Sequence, residues 1–376
     1  MRKYIFLLIL ITLLFSCKNE NLKIENNEKF EELNLKYANL FSIKVFENYT
    51  ELTVFSEDKK TFTKYYLVDK KKEIPTFLST KNIIRIPVER IICLSTTHTA
   101  YIDLLGNTDN ICGVSDKKYI CNSKIQNNIE KKVTEEVGYE QMIDYEKLIS
   151  LKPDLVTIYN IEGEISSVIT KLKSLNIPVV LINEYSEQNI LGQAEWIKFF
   201  GEFFDKRNLS DKISDSIFYR YNELKSIAQK VNKKPTVMLN LPWKGVWYIP
   251  GNNSNIAQLI NDAGGNYKSL NNENMRNFPA DISNIYLMWR NNDFWLNSGD
   301  AVSVSEIIGY DSRLSKFKSV KTKNIYNRNN RMSNLGGNDF MESGVVKPDV
   351  ILKDIITILH PELKLNHTLY YYKKLK

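Results

Sequence analysis

The sequence predicts an α/β protein: two Rossmann-like α/β lobes joined by a single long rigid helix, with a small β extension in front. Three observations carry this. From Arg90 onward, short apolar strand-like runs alternate with helical segments. That alternation pauses once, at a helical stretch from Asn208 to Val231, and then resumes. Between Phe41 and Ile86 the pattern is different, with period-two alternation and no helix between the strands.

At the N-terminus, Arg2 and Lys3 precede a nearly continuous apolar run from Tyr4 to Phe15. The run has the length of a signal-peptide core and is too short to cross a bilayer comfortably. It ends in Leu14-Phe15-Ser16-Cys17, which resembles a bacterial lipobox despite the bulky Phe15. Residues 1–17 are therefore read as a lipoprotein signal with Cys17 as the lipidated residue. Ordinary cleavage beside an incidental cysteine is the alternative. Lys18–Lys29 is polar and reads as a flexible tether, so residues 18–89 comprise the tether and the β extension.

Within the extension, Phe41–Phe46 and Glu51–Phe55 alternate, and Lys64–Val68 and Ile83–Ile86 add short runs. The first lobe, 90–206, opens with Ile91–Leu94, an apolar run of the kind expected for a parallel strand covered on both faces. Ser95-Thr96-Thr97 caps a helix that stops at Gly106. Ile111–Val114, Leu155–Tyr159 and Val179–Ile182 read as strands, and Tyr145–Leu151 and Ile165–Leu175 as helices. Gln188–Phe204 is helical too. The long helix is placed at 207–231, its stretch Asn208–Val231 spanning about 36 Å at 1.5 Å per residue. The second lobe, 232–364, has strands at Val237–Leu241 and Phe294–Leu296. Its helices are Ile256–Ala263, capped by Ser254, and Val350–Leu359, begun near Pro348. Residues 365–376 are read as a tail.

Composition narrows the function. Across 376 residues, 43% are hydrophobic and 25% charged, which suits packed domains. The net charge of +7 is spread out, and runs such as Lys70–Lys72 are short, so no nucleic-acid surface is expected. Beyond Cys17 there are Cys93, Cys112 and Cys121, with no CxxC pair. Cys93 and Cys112 read as buried small hydrophobes, and one bridge involving Cys121 stays open. The three histidines are far apart and there is no GxSxG, so neither an enzyme nor a free zinc or manganese site is expected.

Several motifs then fall in a recognisable order. Arg90-Ile-Ile-Cys-Leu-Ser-Thr-Thr-His-Thr is followed by Leu104-Leu-Gly and Ile111-Cys-Gly-Val-Ser-Asp. Val137-Gly-Tyr, Tyr145-Glu-Lys-Leu-Ile-Ser-Leu-Lys-Pro-Asp-Leu-Val and Leu175-Asn-Ile-Pro-Val-Val come next. Asn252–Ile260, Ala263-Gly-Gly-Asn and Lys347–Asp354 complete the series. Over about Arg90 to Leu363 the chain resembles the substrate-binding proteins of ABC importers for iron-siderophores, haem and cobalamin. The resemblance implies a non-enzymatic, monomeric, lipid-anchored protein of the cell envelope, facing the periplasm. It would carry no cofactor. It would capture a metal chelate, either an iron complex (ferric siderophore or haem) or cobalamin, and deliver it to a permease. A surface lipoprotein serving an outer-membrane receptor, with no ABC partner, is the alternative, suggested by Cys17-Lys-Asn-Glu.

The resemblance also places the ligand between the lobes, at loops following strand C-termini. These are Thr96–His98, Ser115–Tyr119, Val137–Gln141 and Tyr159–Glu164 in the first lobe. In the second they are Pro242–Tyr248, Arg276–Phe278, Asn297–Gly299 and Asn327–Glu342. Trp243 and Trp247 put large rings on one loop, and Tyr139 matches a cleft aromatic of the cobalamin binder. Tyr119 sits on a neighbouring loop. Covering about 100 Å² on each of two rings contributes roughly 5 kcal/mol, short of the roughly 8 kcal/mol of micromolar binding. Polar anchors are needed, and Lys117, Lys118, Arg276, Arg328 and Arg331 are candidates. His98 is a candidate axial ligand for a metal centre, or else a hydrogen-bonded helix-start residue. For permease docking the resemblance implies Glu146 on the first lobe. On the second, Ser283 stands where glutamate is expected, which leaves Asp281 or Asp262.

Overall fold

The computed structural model describes residues 22–25, 28–79, 82–139, 142–159, 165–270 and 276–376. Cys17 with the apolar run before it, and residues 140–141 and 160–164 of two predicted cleft loops, lie outside the described residues.

The N-terminal region is a six-stranded sheet in chain order, β1 (Leu22–Glu25), β2 (Glu28–Glu32), β3 (Phe41–Val45), β4 (Thr50–Phe55), β5 (Phe62–Asp69) and β6 (Ile83–Ile86). Its pairs are antiparallel except β5–β6, which is parallel. Part of the predicted tether is thus strand. Phe30 explains how so polar a stretch joins a sheet, since its buried ring lies 5.3 Å from Phe46 and fixes which face turns inward. The inner face shares one core with the first lobe, where Phe41 meets Trp196 at 4.7 Å and Phe199 at 5.5 Å.

The first lobe is an all-parallel sheet of β7 (Ile91–Cys93), β8 (Ile111–Val114), β9 (Glu135–Glu136), β10 (Leu155–Tyr159) and β11 (Val179–Ile182), ordered β11-β10-β7-β8-β9. The central strands β7 and β8 are wholly buried, which is why they read as unbroken apolar runs. Ser95 caps the helix Thr96–Leu104 through its side-chain oxygen. Cys93, Cys112 and Cys121 are free thiols; the first two are buried among apolar side chains.

The helix Arg207–Gln229 runs about 35 Å from one lobe to the other, burying Ile217, Phe218 and Tyr221. The second lobe contains β12 (Thr236–Leu239), β13 (Pro242–Trp243), β14 (Val246–Pro250), β15 (Asn266–Tyr267), β16 (Asn277–Ala280), β17 (Phe294–Leu296), β18 (Ile325–Asn327) and β19 (Lys373–Lys374). Its main sheet is ordered β15-β12-β17-β18-β19, parallel except for β19. A second, three-stranded sheet, β13-β14-β16, is antiparallel. The predicted tail is therefore an integral edge. The buried Asp354 carboxylate accepts the backbone N–H groups of Tyr370, Tyr371 and Tyr372 at 2.8, 2.7 and 3.0 Å. That draws Tyr371 and Tyr372 fully into the core.

Candidate functional site: the boundary between the lobes

Parallel sheets send the C-terminal ends of their strands to one edge, where loops can gather around a ligand. In this chain the two such edges meet. The segment after β18 crosses to the first lobe, where the Glu342 carboxylate accepts the backbone N–H groups of Cys121 and Asn122 and the Thr99 hydroxyl. Thr96 Oγ1 donates to the Met341 carbonyl at 3.4 Å. Gly337 makes the close approach possible, since a Cβ there would lie 2.8 Å from the Tyr119 carbonyl oxygen and 2.9 Å from that of Lys118. Glu342 is 2% exposed, and burial, reinforced by nearby Asp339, raises its pKa to about 7 despite the hydrogen bonds that favour its charge. The Cys121 thiol beside it is pushed up to about 12 by burial and by the Glu342 and Asp339 charges.

Beside this closed junction lies a more open stretch. After β12 the chain turns into the β13–β14 hairpin, where Trp243 is 59% exposed with the Lys244 ammonium 4.4 Å from its ring centroid. Arg328 directly follows β18, partly exposed, with its guanidinium 4.8 Å over the Phe340 ring. Among the described residues it forms no ion pair and its guanidinium makes no hydrogen bond; desolvation lowers its pKa, opposed through space by Tyr372 and Asp300. On the first lobe Tyr119 and Tyr139 are exposed, and so is Met142.

The other predicted residues distribute unevenly. Trp247 is a correction: it is fully buried, its indole N–H donates to the Leu239 carbonyl at 2.9 Å, and its ring stacks on Trp295 at 5.7 Å. His98 is another. Its ring is fully buried, with Nδ1 3.0 Å from Thr157 Oγ1, and burial lowers its pKa to about 3, which matches the hydrogen-bonded helix-start reading rather than an exposed axial ligand. Arg276 and Arg331 have counter-ions of their own, Glu57 and Asp339. Arg331, stacked at 4.3 Å over Tyr370, lines a polar cavity of about 390 Å³ between the lobes with Cys121 and Gln126. Lys117 is exposed and 4.0 Å from Glu136. Glu146 is exposed in the first turn of the helix Tyr145–Ser150. Asp281 is the N-cap of the helix Ile282–Trp289 and accepts the Ser283 N–H at 2.7 Å, which holds its pKa low. Glu342 is the residue that sequence reasoning did not single out. Its signal was an acid closely following a Gly-Gly pair at the end of a predicted cleft loop.

The comparisons with known proteins follow this division of the molecule. A lipoprotein of Methanocaldococcus jannaschii is 25% identical over 92% of this chain and 87% of its own length. Among solved structures, the periplasmic haem-binding protein HutB of Vibrio cholerae has a TM-score of 0.57 at 18% identity, covering 72% of this chain and 99% of that one. The molybdate-binding protein MolA of Haemophilus influenzae has a TM-score of 0.56 at 19% identity, covering 74% and 89%. These two likenesses establish the fold. Residues 91–330 match the periplasmic binding protein family, so that the match begins directly after the N-terminal sheet. The chain belongs to that family, whose members bind solutes for ABC transporters and are not enzymes.

Proposed function

We infer that this protein is a lipid-anchored solute-binding protein that captures a bulky metal complex, a ferric siderophore, haem or cobalamin, and passes it to an ABC permease. One observation carries the reading. At the strand ends of the second lobe the fold leaves Trp243 uncovered and Arg328 without an ion-pair partner among the described residues. A large exposed ring and a desolvated guanidinium with no ion-pair partner are both unfavourable until a ligand covers the one and pairs with the other. A cargo with an apolar body and a carboxylate, catecholate or phosphate group has both features. A small oxyanion such as the molybdate bound by MolA would use the arginine and leave the indole bare. The haem-binding neighbour and the aromatic and methionine side chains of the first lobe, Tyr119, Tyr139 and Met142, also favour a large cargo. Cys17 is the proposed lipid anchor, in keeping with the lipoprotein relative. Glu146 and Asp281, exposed on separate lobes, are the proposed permease contacts.

The test is quenching of tryptophan fluorescence on titration with haemin, cyanocobalamin, ferric siderophores and molybdate, corrected for absorbance. Trp196, Trp247, Trp289 and Trp295 are at most 1% exposed, so Trp243 is the tryptophan a cargo can touch directly. Saturable quenching by one metal complex, lost in Trp243→Ala, is expected. Saturation by molybdate instead would overturn the choice of cargo.

A further inference from the structure

The N-terminal sheet lies outside the family match and has no role in the reading above, yet it grips three parts of the binding fold at once. Its first grip is on the first lobe. Backbone N–H groups of five consecutive residues are taken up by two carboxylates. Glu195 accepts from Lys36, Tyr37 and Ala38 at 2.9, 2.7 and 2.9 Å, and Glu187 from Asn39 and Leu40 at 3.0 and 2.9 Å. Tyr65 adds to this, its hydroxyl accepting the N–H of Leu181 on edge strand β11 at 3.0 Å. The second grip is on the helix that spans the lobes. Tyr37 packs edge-on to Phe218 at 4.7 Å and accepts from Asn222, while Lys36 pairs with Asp215 at 2.6 Å.

The third grip is on the second lobe. The turn between β4 and β5 is held at the C-terminal end of β11, where Asn183 Nδ2 donates to the Phe55 carbonyl at 3.0 Å. From that turn Glu57 forms an ion pair with Arg276, at the start of β16. The Arg276 carbonyl in turn accepts from Gly251 at the end of β14, the strand whose hairpin carries Trp243. The same side is bridged again by Asn255 and Gln258 of the second lobe, which donate to the Glu187 and Gln188 carbonyls.

The geometry points to the N-terminal sheet being a brace across the lobe boundary, with Glu57–Arg276 as a salt-sensitive latch that sets how far the two lobes open. It rests on the boundary being where cargo enters. The brace has one strong end and one weak end. The clamped segment donates five backbone N–H groups to two carboxylates, Glu187 and Glu195, that are themselves buried. The latch joins two side chains that are 41% and 66% exposed, so salt screens it and thermal motion breaks it readily. A releasable contact opposite a fixed one suits a wall that yields when cargo passes.

Hydrogen–deuterium exchange of the full chain in detergent, without cargo, tests this independently of which ligand binds. The reporters are the Cys121 and Asn122 amides, which Glu342 holds across the boundary. Glu57→Gln and Arg276→Gln should each speed their exchange about two- to five-fold, the range a partly exposed ion pair supports. Wild type in 1 M salt should behave like the variants. The double exchange Glu57→Arg with Arg276→Glu should return the wild-type rate at low salt. Faster exchange confined to the β4–β5 turn, or no change at all, would overturn the brace, because the sheet would then be a docked appendage. Since no cargo is present, failure of the metal-complex reading leaves this outcome unaffected, and the reverse holds too.

Discussion

Two regions along the lobe boundary differ in who satisfies their polar groups. At the Glu342 junction the chain does so itself: a buried carboxylate from one lobe receives two amides and a hydroxyl from the other, and a glycine clears the approach. At the Trp243–Arg328 region the chain leaves the work undone. The ring faces water, and the guanidinium has lost solvation with no ion-pair partner among the described residues, Asp300 acting on it only through space. The first arrangement belongs to architecture and the second to a site awaiting an occupant. Truncation should therefore cost stability in the first region and binding in the second.

Of the two regions, the closed one should show the larger stability effect when broken. Glu342→Ala strands the Cys121 and Asn122 amides and the Thr99 hydroxyl in a buried setting, at about 1–3 kcal/mol for each group left unpaired. Partial relaxation should hold the total to about 2–4 kcal/mol, measured by urea unfolding. A loss below about 0.5 kcal/mol would mean that water already satisfies these groups and that the two regions do not differ.

The same residue makes a pH prediction. Its folded pKa of about 7 lies above the ordinary 4.5, so the folded protein keeps a proton that the unfolded chain has released. Stability from this group is therefore fully present below about pH 4.5 and is lost as pH rises to about 7. Glu184 and Glu187, also raised by burial, slope the same way. Comparison of wild type with Glu342→Gln isolates Glu342. The variant keeps an acceptor for the amides and should show a shallower fall in unfolding free energy over that window. Identical slopes would show that Glu342 stays ionised throughout.

Much of this architecture was readable from sequence because parallel strands buried on both faces leave short apolar runs bounded by turn and helix signals. Ile91–Cys93 and Ile111–Val114 are of that kind. The strands of the predicted tether were not readable, since β2 turns a single buried ring, Phe30, inward among charged residues. Nor was β19, whose place depends on Asp354 capturing three amides some sixteen to eighteen residues away. The two hairpin tryptophans show the limit at the site itself. Trp243 and Trp247 share one loop motif, yet the Leu239 carbonyl lies within reach of only one indole N–H. Composition identifies a residue able to bind; which ones are left free to do so is settled by partners distant in the chain.

Arg328 separates the regions by sign. Replacing a satisfied buried charge destabilises, whereas removing one held without a partner relieves a desolvation penalty. Arg328→Gln should leave unfolding stability unchanged or raise it by about 0.5–1 kcal/mol, while weakening the quenching cargo about tenfold or more, as expected for a lost charge-assisted hydrogen bond. Loss of stability together with loss of binding would place Arg328 among the architectural residues.

The smallest stability effect belongs to Trp243→Ala. With more than half its surface in water and no hydrogen bond from its indole to the described residues, the ring contributes little to the fold beyond its stack with Lys244. Unfolding free energy should stay within about 0.5 kcal/mol of wild type. Trp247→Ala, four residues along, vacates a packed core position and should cost about 3–5 kcal/mol. Equal stability loss in both would mean that Trp243 also packs against the lobe in solution. The hairpin would then present no ring to a cargo, and the open region would reduce to Arg328.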